Sequence, residues 1–109
     1  MSSSLVKIQE KNFNELLRSR KKGVILFEAS WCAACKIIGE ILEEISEALK
    51  DSEIVFVSVD VAKNPGLCSR MGVMSLPNLF FLKNGRVLDQ IIGTTSKKEI
   101  LEKMEKLKK

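Results

Sequence analysis

The sequence contains no histidine and no tyrosine, and it has only one tryptophan among its 109 residues. Without histidine, its CxxC pair cannot be a c-type haem attachment site, because that site needs a histidine directly after the second cysteine. A nucleic-acid surface normally combines a patterned basic stripe with stacking aromatic residues. The basic residues behind the net charge of +4 instead concentrate at 18–22 and near the C-terminus, without interleaved aromatics. We therefore expect no nucleic-acid partner.

Long apolar runs and a leader-like start are also missing. No apolar run approaches the roughly 18 residues of a membrane span, and residues 1–12 lack the charged and then apolar regions of a secretory signal. We expect a cytoplasmic protein with no membrane partner, folded as one domain over residues 1–109 and monomeric. Thiols stay reduced in the cytoplasm, and three cysteines, an odd number, argue against a disulfide framework.

Short apolar runs alternate with longer segments of helical periodicity, which predicts an α/β fold. Residues 33–50 carry apolar side chains at helical spacing with glutamates between them, which is typical of an amphipathic helix packed on a sheet. Asn84-Gly85 predicts a tight hairpin turn, and Ser96 with Glu99 matches a helix-capping box. Strands are predicted at 5–8, 24–29, 54–59, 79–82 and 86–92, and helices from near 12, over 33–50, near 65–71 and after 96.

The stretch SWCAACK, residues 30–36, separates two cysteines by two residues. Zinc usually needs four cysteine or histidine ligands, and only Cys68 remains beyond this pair, so a zinc site would require two chains or carboxylate ligands. A redox dithiol needs no further ligand. Its position also favours redox chemistry, because Cys32 lies where a strand ends and a helix begins.

The helix start predicts different roles for the two sulfurs. If Cys32 is the N-cap and Ala33 the first helical residue, the Cys32 sulfur faces unpaired N–H groups and the positive end of the helix dipole. Both stabilise a thiolate, which is the nucleophilic form. Cys35 follows one turn later and should be more buried. We therefore predict Cys32 as the attacking sulfur and Cys35 as the resolving one.

Several segments occur in the same order as in one known family. They are VILFEASWCAACK at 24–36, Val59-Asp60, Asn64-Pro65-Gly66, MGVMSLPNLFFLKNG at 71–85 and the IIG that ends at Gly93. Together they resemble the thioredoxin family over nearly the whole chain. The resemblance implies the thioredoxin fold, with a five-stranded mixed sheet between helices and Pro77 in the cis form beside the dithiol.

The resemblance also implies an activity and a set of site residues. It implies a thiol-disulfide oxidoreductase that acts on disulfide-containing proteins and is regenerated by a flavoprotein reductase drawing on NADPH. It implies no bound cofactor or metal, only the redox-active disulfide Cys32–Cys35. The backbone around Leu76 would pair with an extended substrate segment. The substrate-binding residues would be Trp31, Ala33, Ala34, Ser75, Leu76, Pro77 and Gly93, although Trp31 has a second interpretation as a residue that only packs the loop.

The sequence departs from the family pattern beside the dithiol. Ala33-Ala34 replace the usual Gly-Pro, and the Ala34 N–H is expected to point at the Cys32 sulfur and make the pair more oxidising. Leu26 replaces the buried aspartate that helps to deprotonate the resolving cysteine. Glu28 lies on the same strand face as Leu26, nearer the site. Glu28 is thus a candidate proton acceptor for Cys35, or alternatively a solvated charge that only raises thiol pKa values.

Two other functions fit parts of the sequence. A non-catalytic binding module would use the Pro77 surface and tolerate the loss of Cys32. A dimer that binds a metal or cluster through its CxxC pairs would lose dithiol chemistry when loaded. Cys68 is expected to be a buried and inert residue, because free cysteine is among the most buried residue types.

Overall fold

The computed structural model describes residues 5–108, and its five strands form one mixed sheet in the order β1-β3-β2-β4-β5. Strands β1, β3 and β2 are mutually parallel, whereas β4 is antiparallel to both β2 and β5. The predicted five-stranded mixed sheet flanked by helices is confirmed. The elements are β1 (Val6–Lys7), α1 (Glu10–Ser19), β2 (Lys22–Glu28), α2 (Ala33–Ala48), β3 (Ile54–Asp60), α3 (Pro65–Met71), β4 (Asn78–Lys83), β5 (Arg86–Ile92), α4 (Lys97–Met104) and a C-terminal 3₁₀ turn (Glu105–Lys108).

Strand β2 lies at the centre of the sheet and is buried on both faces. Its side chains alternate between two hydrophobic clusters, with Val24 and Leu26 in one and Ile25 and Phe27 in the other. The first cluster includes side chains of α2 and α4, and the second includes side chains of α1 and α3. The nearly continuous apolar sequence of β2 is what a strand covered by helices on both sides requires.

The helices follow the predicted pattern, with small differences at their ends. Helix α1 begins at Glu10, two residues before the predicted start, because the side chain of Asn12 reaches back and accepts the N–H of Gln9 at 3.1 Å. Ser96 caps α4 as predicted, its Oγ accepting the N–H of Glu99 at 3.1 Å. None of the helices within residues 5–108 is long and apolar enough to cross a membrane.

The turn between β4 and β5 has the predicted geometry. Asn84 and Gly85 both have positive φ, 55° and 79°, as a tight hairpin turn demands. A Cβ atom added to Gly85 would lie 2.7 Å from the backbone oxygen of Leu17. The turn therefore needs glycine for two reasons, the left-handed backbone and the close approach of α1.

An ion cluster ties the edge strand β5 to the C-terminal segment. The Asp89 carboxylate lies 3.1 Å from Lys103 Nζ and 2.7 Å from Lys106 Nζ, and it is half-buried. The pKa of Asp89 is lowered from its usual 3.8 to about 2, mainly by the hydrogen bond from Lys106. Burial opposes this shift, whereas the Gln90 N–H and Lys103 each add a smaller lowering effect.

Replacing Gly85 with alanine should destabilise the protein more than the same change at Gly72, which also has positive φ but has nothing within 4 Å of an added Cβ. We expect a loss of about 1 to 2 kcal/mol for Gly72→Ala, from left-handed strain alone, and about 3 kcal/mol or more for Gly85→Ala. Urea unfolding of both variants measures the difference. Equal losses would show that the Leu17 carbonyl moves aside without cost.

Asp89→Asn should cost about 1 to 2 kcal/mol at pH 7. Because the folded pKa lies below the unfolded one, this contribution is present above about pH 4 and is lost as the pH falls toward 2. Urea unfolding at several pH values should therefore show the parent and the variant converging in acid. As a control, Glu44→Gln removes an exposed ion pair with Lys97 and should change the free energy of unfolding little at any pH.

Candidate functional site: the Cys32–Cys35 disulfide

The two motif cysteines form a disulfide at the junction of β2 and α2. Their Cα atoms are 5.2 Å apart. Cys32 is the N-cap of α2 and has an extended backbone, and Ala33 is the first helical residue, both as predicted. The N–H of Cys32 donates to the carbonyl of Ala29 at 3.1 Å, which anchors the cysteine to the end of β2.

The two sulfurs differ in exposure. Cys32 is partly exposed, whereas Cys35 is 0% exposed and lies in the protein interior. Only the Cys32 end of the disulfide is therefore open to an incoming molecule. This arrangement agrees with Cys32 as the attacking residue and Cys35 as the resolving one.

The backbone donor to the Cys32 sulfur is not the expected one. The Cys32 Sγ accepts the N–H of Cys35, at the third helical position, at 3.1 Å. The sequence had suggested the N–H of Ala34, at the second helical position. Both positions are usual partners of an N-cap side chain, and here the side chain reaches the later one. A proline at position 34 would leave this bond intact, so the argument that Ala34 supplies the donor is wrong.

The loop before β4 lies beside the disulfide. The peptide bond between Leu76 and Pro77 is cis, as expected from the resemblance. Phe27 of β2 is opposite Asn78 of β4, so the loop before β4 lies at the same end of the sheet as the segment that follows β2 and carries Cys32. Gly93, which follows β5 and has φ of 91°, donates its N–H to the Pro77 carbonyl at 2.8 Å and so connects the loop to the end of β5.

Exposed apolar side chains lie on the segments that form the site. Trp31, directly before Cys32, is 70% exposed, Met74 in the loop is 94% exposed, and Ile92 beside Gly93 is 62% exposed. The exposure of Trp31 argues against the interpretation that it only packs the loop. Met74 belongs to the surface. Ala33 is exposed, and Ala34 is partly buried beside it.

Glu28 lies at the last position of β2 and is half-buried. It lines a groove of 460 Å³ together with Ala29, Ser30, Gly39 and other residues of β1, α2 and β3. An added Cβ at Gly39 would lie 3.8 Å from Leu26 Cδ2, so Leu26 and Gly39 face each other across the interface between β2 and α2. Glu28 thus belongs to a groove that is also lined by Lys36, the residue after Cys35.

Cys68 is buried in α3, as expected, and is a free thiol. Burial raises its pKa, and the nearby Asp60 carboxylate raises it further. Both effects keep the thiol protonated and unreactive. Within residues 5–108, no three side chains of histidine, cysteine, aspartate or glutamate are grouped so that they could hold a metal ion.

Sequence reasoning overlooked one pair of residues at the site. The side chain of Asn78 is buried at the start of β4, and its Oδ1 accepts a hydrogen bond from Gln90 Nε2 at 2.9 Å. A signal for it exists in the sequence, because Asn78 is a polar residue at an inward position of the apolar run that continues through 79–82.

Comparisons with known proteins agree with this geometry. The sequence model of the Thioredoxin family matches residues 4–106. Thioredoxin from Staphylococcus haemolyticus is 33% identical over 103 residues, covering 94% of this chain and 97% of the relative. Thioredoxin from Mycoplasmoides gallisepticum is 38% identical over 89 residues, covering 82% of this chain and 87% of the relative.

A solved structure shows the same fold. The crystal structure of oxidised mitochondrial thioredoxin 3 from Saccharomyces cerevisiae superposes with a TM-score of 0.84 at 27% identity, covering 95% of this chain and 96% of that one. The fold, the CxxC disulfide at a helix N-terminus and the cis-proline loop beside it therefore agree with the sequence relationships, and the chain belongs to the thioredoxin family of thiol-disulfide oxidoreductases.

Proposed function

We propose that this oxidoreductase reduces disulfide bonds in protein substrates, with Cys32 as the nucleophile and Cys35 as the resolving thiol. The observation that carries the assignment is the unequal exposure of the two sulfurs at the start of α2. A thiolate at Cys32 would gain the N–H of Cys35 as a donor and the favourable end of the helix dipole.

The exchange proceeds through a mixed disulfide. The Cys32 thiolate attacks one sulfur of the substrate disulfide, that bond breaks, and the departing substrate sulfur takes up a proton. Cys35 then loses its proton and attacks Cys32 Sγ, which releases the second substrate thiol. Two electrons pass to the substrate and the Cys32–Cys35 disulfide forms. The Cα separation of 5.2 Å is within the usual range for closing that bond.

The backbone of Leu76 is suited to bind an extended substrate segment. Within residues 5–108, neither its N–H nor its C=O has a hydrogen-bond partner, although the carbonyls of Ser75 and Pro77 on either side of it are both bonded. Unpaired extended backbone accepts a peptide by strand addition, and neighbouring apolar side chains then contact alternate residues of that peptide. Trp31 and Met74 supply such contacts.

Regeneration and compartment follow from the same chemistry. Each turnover leaves the Cys32–Cys35 disulfide oxidised, so a reductant must restore the dithiol. We propose an NADPH-dependent flavoprotein reductase, as membership of the family implies, and a reducing compartment such as the cytoplasm. The unpaired Cys68 supports a reducing compartment, because oxidising compartments favour paired cysteines.

Glu28 is proposed as the proton acceptor for Cys35. Leu26 faces Gly39, and α2 runs back along β2 in the crossover between two parallel strands. Glu28 lies two residues beyond Leu26 along β2, a distance of about 6.6 Å. Cys35 lies about one helical turn before Gly39 along α2, a distance of about 6 Å in the same direction. Glu28 thus reaches the level of Cys35. The other titratable groups lining this groove are Lys7, Lys36, Glu40, Glu43 and Asp60.

The division of roles between the two cysteines is tested by serine substitution. Cys32→Ser should abolish reduction of a disulfide peptide, and Cys35→Ser should accumulate a mixed disulfide through Cys32, because only the resolving step is lost. Mass spectrometry of the trapped adduct identifies the bonded cysteine. Cys68→Ser is the control and should leave turnover unchanged. Adducts through Cys68 contradict the proposal, and so does a parent protein that binds the peptide without reducing it and binds it equally well as Cys32→Ser, as a pure binding module would.

Glu28→Gln keeps the shape of the side chain but removes its charge and basicity. If Glu28 accepts the proton of Cys35, the resolving step should slow about tenfold to a hundredfold at pH 7, and its pH profile should lose one titration. Stopped-flow decay of the mixed disulfide measures the rate, and Cys32 alkylation should be unaffected.

Glu40→Gln is the matched control, because it removes a charge from the same groove further along α2. An unchanged resolving rate in Glu28→Gln, or an equal change in both variants, would show that the glutamate acts only through its charge.

A further inference from the structure

The side chain of Asn78 is a buried polar group among apolar neighbours. It is 1% exposed. Because side chains alternate along a strand, it shares a face with Phe80 and Leu82, which belong to the cluster packed against α1 and α3. A buried amide is costly unless its oxygen and its NH₂ group both find partners. The partners that Asn78 uses therefore indicate why it is there.

Both ends of the amide are hydrogen-bonded, and each partner lies in a different segment. Its Oδ1 accepts from Gln90 Nε2 of β5 at 2.9 Å, and its Nδ2 donates to the Ser75 carbonyl at 3.4 Å. Gln90 is opposite Phe80, so it is the diagonal neighbour of Asn78 across the two strands. The side chain of Asn78 thus connects β5 to the loop beside the disulfide.

The hydrogen bond from Gln90 fixes the orientation in which the Asn78 amide bonds to Ser75. An amide side chain can be turned over, which exchanges the positions of its oxygen and its NH₂ group. Donation from Gln90 requires the oxygen of Asn78 on the β5 side, which leaves the NH₂ group facing the Ser75 carbonyl. The bond to Ser75, at 3.4 Å, is long and weak by itself, so it depends on Gln90 to hold the amide in this orientation.

The carbonyls of Ser75 and Pro77, each fixed by a hydrogen bond, lie on either side of Leu76, the proposed substrate-binding residue. Ser75 is held by Asn78, and the Pro77 carbonyl accepts the N–H of Gly93 at 2.8 Å, so both connections lead to β5 and its end. We propose that Asn78 and Gln90 are positioning residues, which orient the unpaired Leu76 backbone for an extended, disulfide-containing polypeptide. This inference rests on the proposed function.

Gln90→Met tests the role in substrate binding, because methionine keeps the length of the side chain but has no N–H donor. The KM for a disulfide-containing peptide should rise about three- to tenfold, as expected for the loss of one orienting hydrogen bond. The value of kcat and the rate of Cys32 alkylation should stay within about twofold, since the thiols are untouched. The control is Asp89→Asn, which loses stability at the adjacent position on the opposite face of β5 and should leave KM unchanged.

A double variant separates positioning from stability. Replacing both partners of a buried hydrogen bond with apolar residues is often nearly neutral for stability. Asn78→Leu combined with Gln90→Leu should therefore unfold at a higher urea concentration than Gln90→Met, yet its KM should remain raised. A KM that returns to the parent value in the double variant, or an unchanged KM in Gln90→Met, overturns the proposal.

Nuclear magnetic resonance of the oxidised protein tests the geometry without any substrate. The Asn78 side-chain NH₂ protons should exchange with water at least tenfold more slowly than those of the exposed Asn84, and Gln90→Met should remove this protection. Rapid exchange in the parent overturns the inference even if the protein reduces the peptide. A protected Asn78 in a protein that reduces no peptide overturns the proposed function instead, and with it the positioning role.

Discussion

Strand β2 is hydrogen-bonded along both edges and covered by helices on both faces, and the geometry of the site depends on this double constraint. The residue after this strand is Ala29, and its carbonyl accepts the N–H of Cys32. Its pairing with β4 brings the Leu76 loop to the same end of the sheet. The disulfide and the loop are thus positioned by one rigid strand, and reacting groups held in this way do not have to be ordered when a substrate arrives.

The site separates two requirements of the disulfide exchange proposed above. The attacking sulfur must be accessible and stabilised as an anion, which the start of α2 provides at Cys32. The resolving sulfur must be protected from solvent until the mixed disulfide forms, which burial provides at Cys35. Beneath Cys35 the core is apolar, with Leu26 and Phe56 in one cluster. In the proposed mechanism the proton of Cys35 leaves toward the groove of Glu28, which is also lined by the carboxylates of Glu40, Glu43 and Asp60.

Features encoded by neighbouring residues could be predicted from the sequence. The apolar run of β2, the N-cap at Cys32 and the Asn84-Gly85 turn each depend on a few adjacent positions, and the structure agrees with them. Contacts between distant residues could not be predicted. The pair of Asn78 and Gln90 depends on the register of β4 against β5, and Asp89 meets its lysines only after α4 has packed. The choice of Cys35 over Ala34 as donor to Cys32 depends on a rotation of one side chain, to which the sequence pattern is insensitive.

The burial of Cys68 separates the three thiols into two chemical classes. In the native protein its sulfur is shielded and kept protonated, and in the oxidised form the two motif sulfurs are already bonded to each other. Global unfolding removes that shielding. The third thiol therefore acts as an internal reporter of structural integrity in the oxidised protein, since a count of no reactive thiols marks an intact molecule and a count of one marks a molecule that has opened.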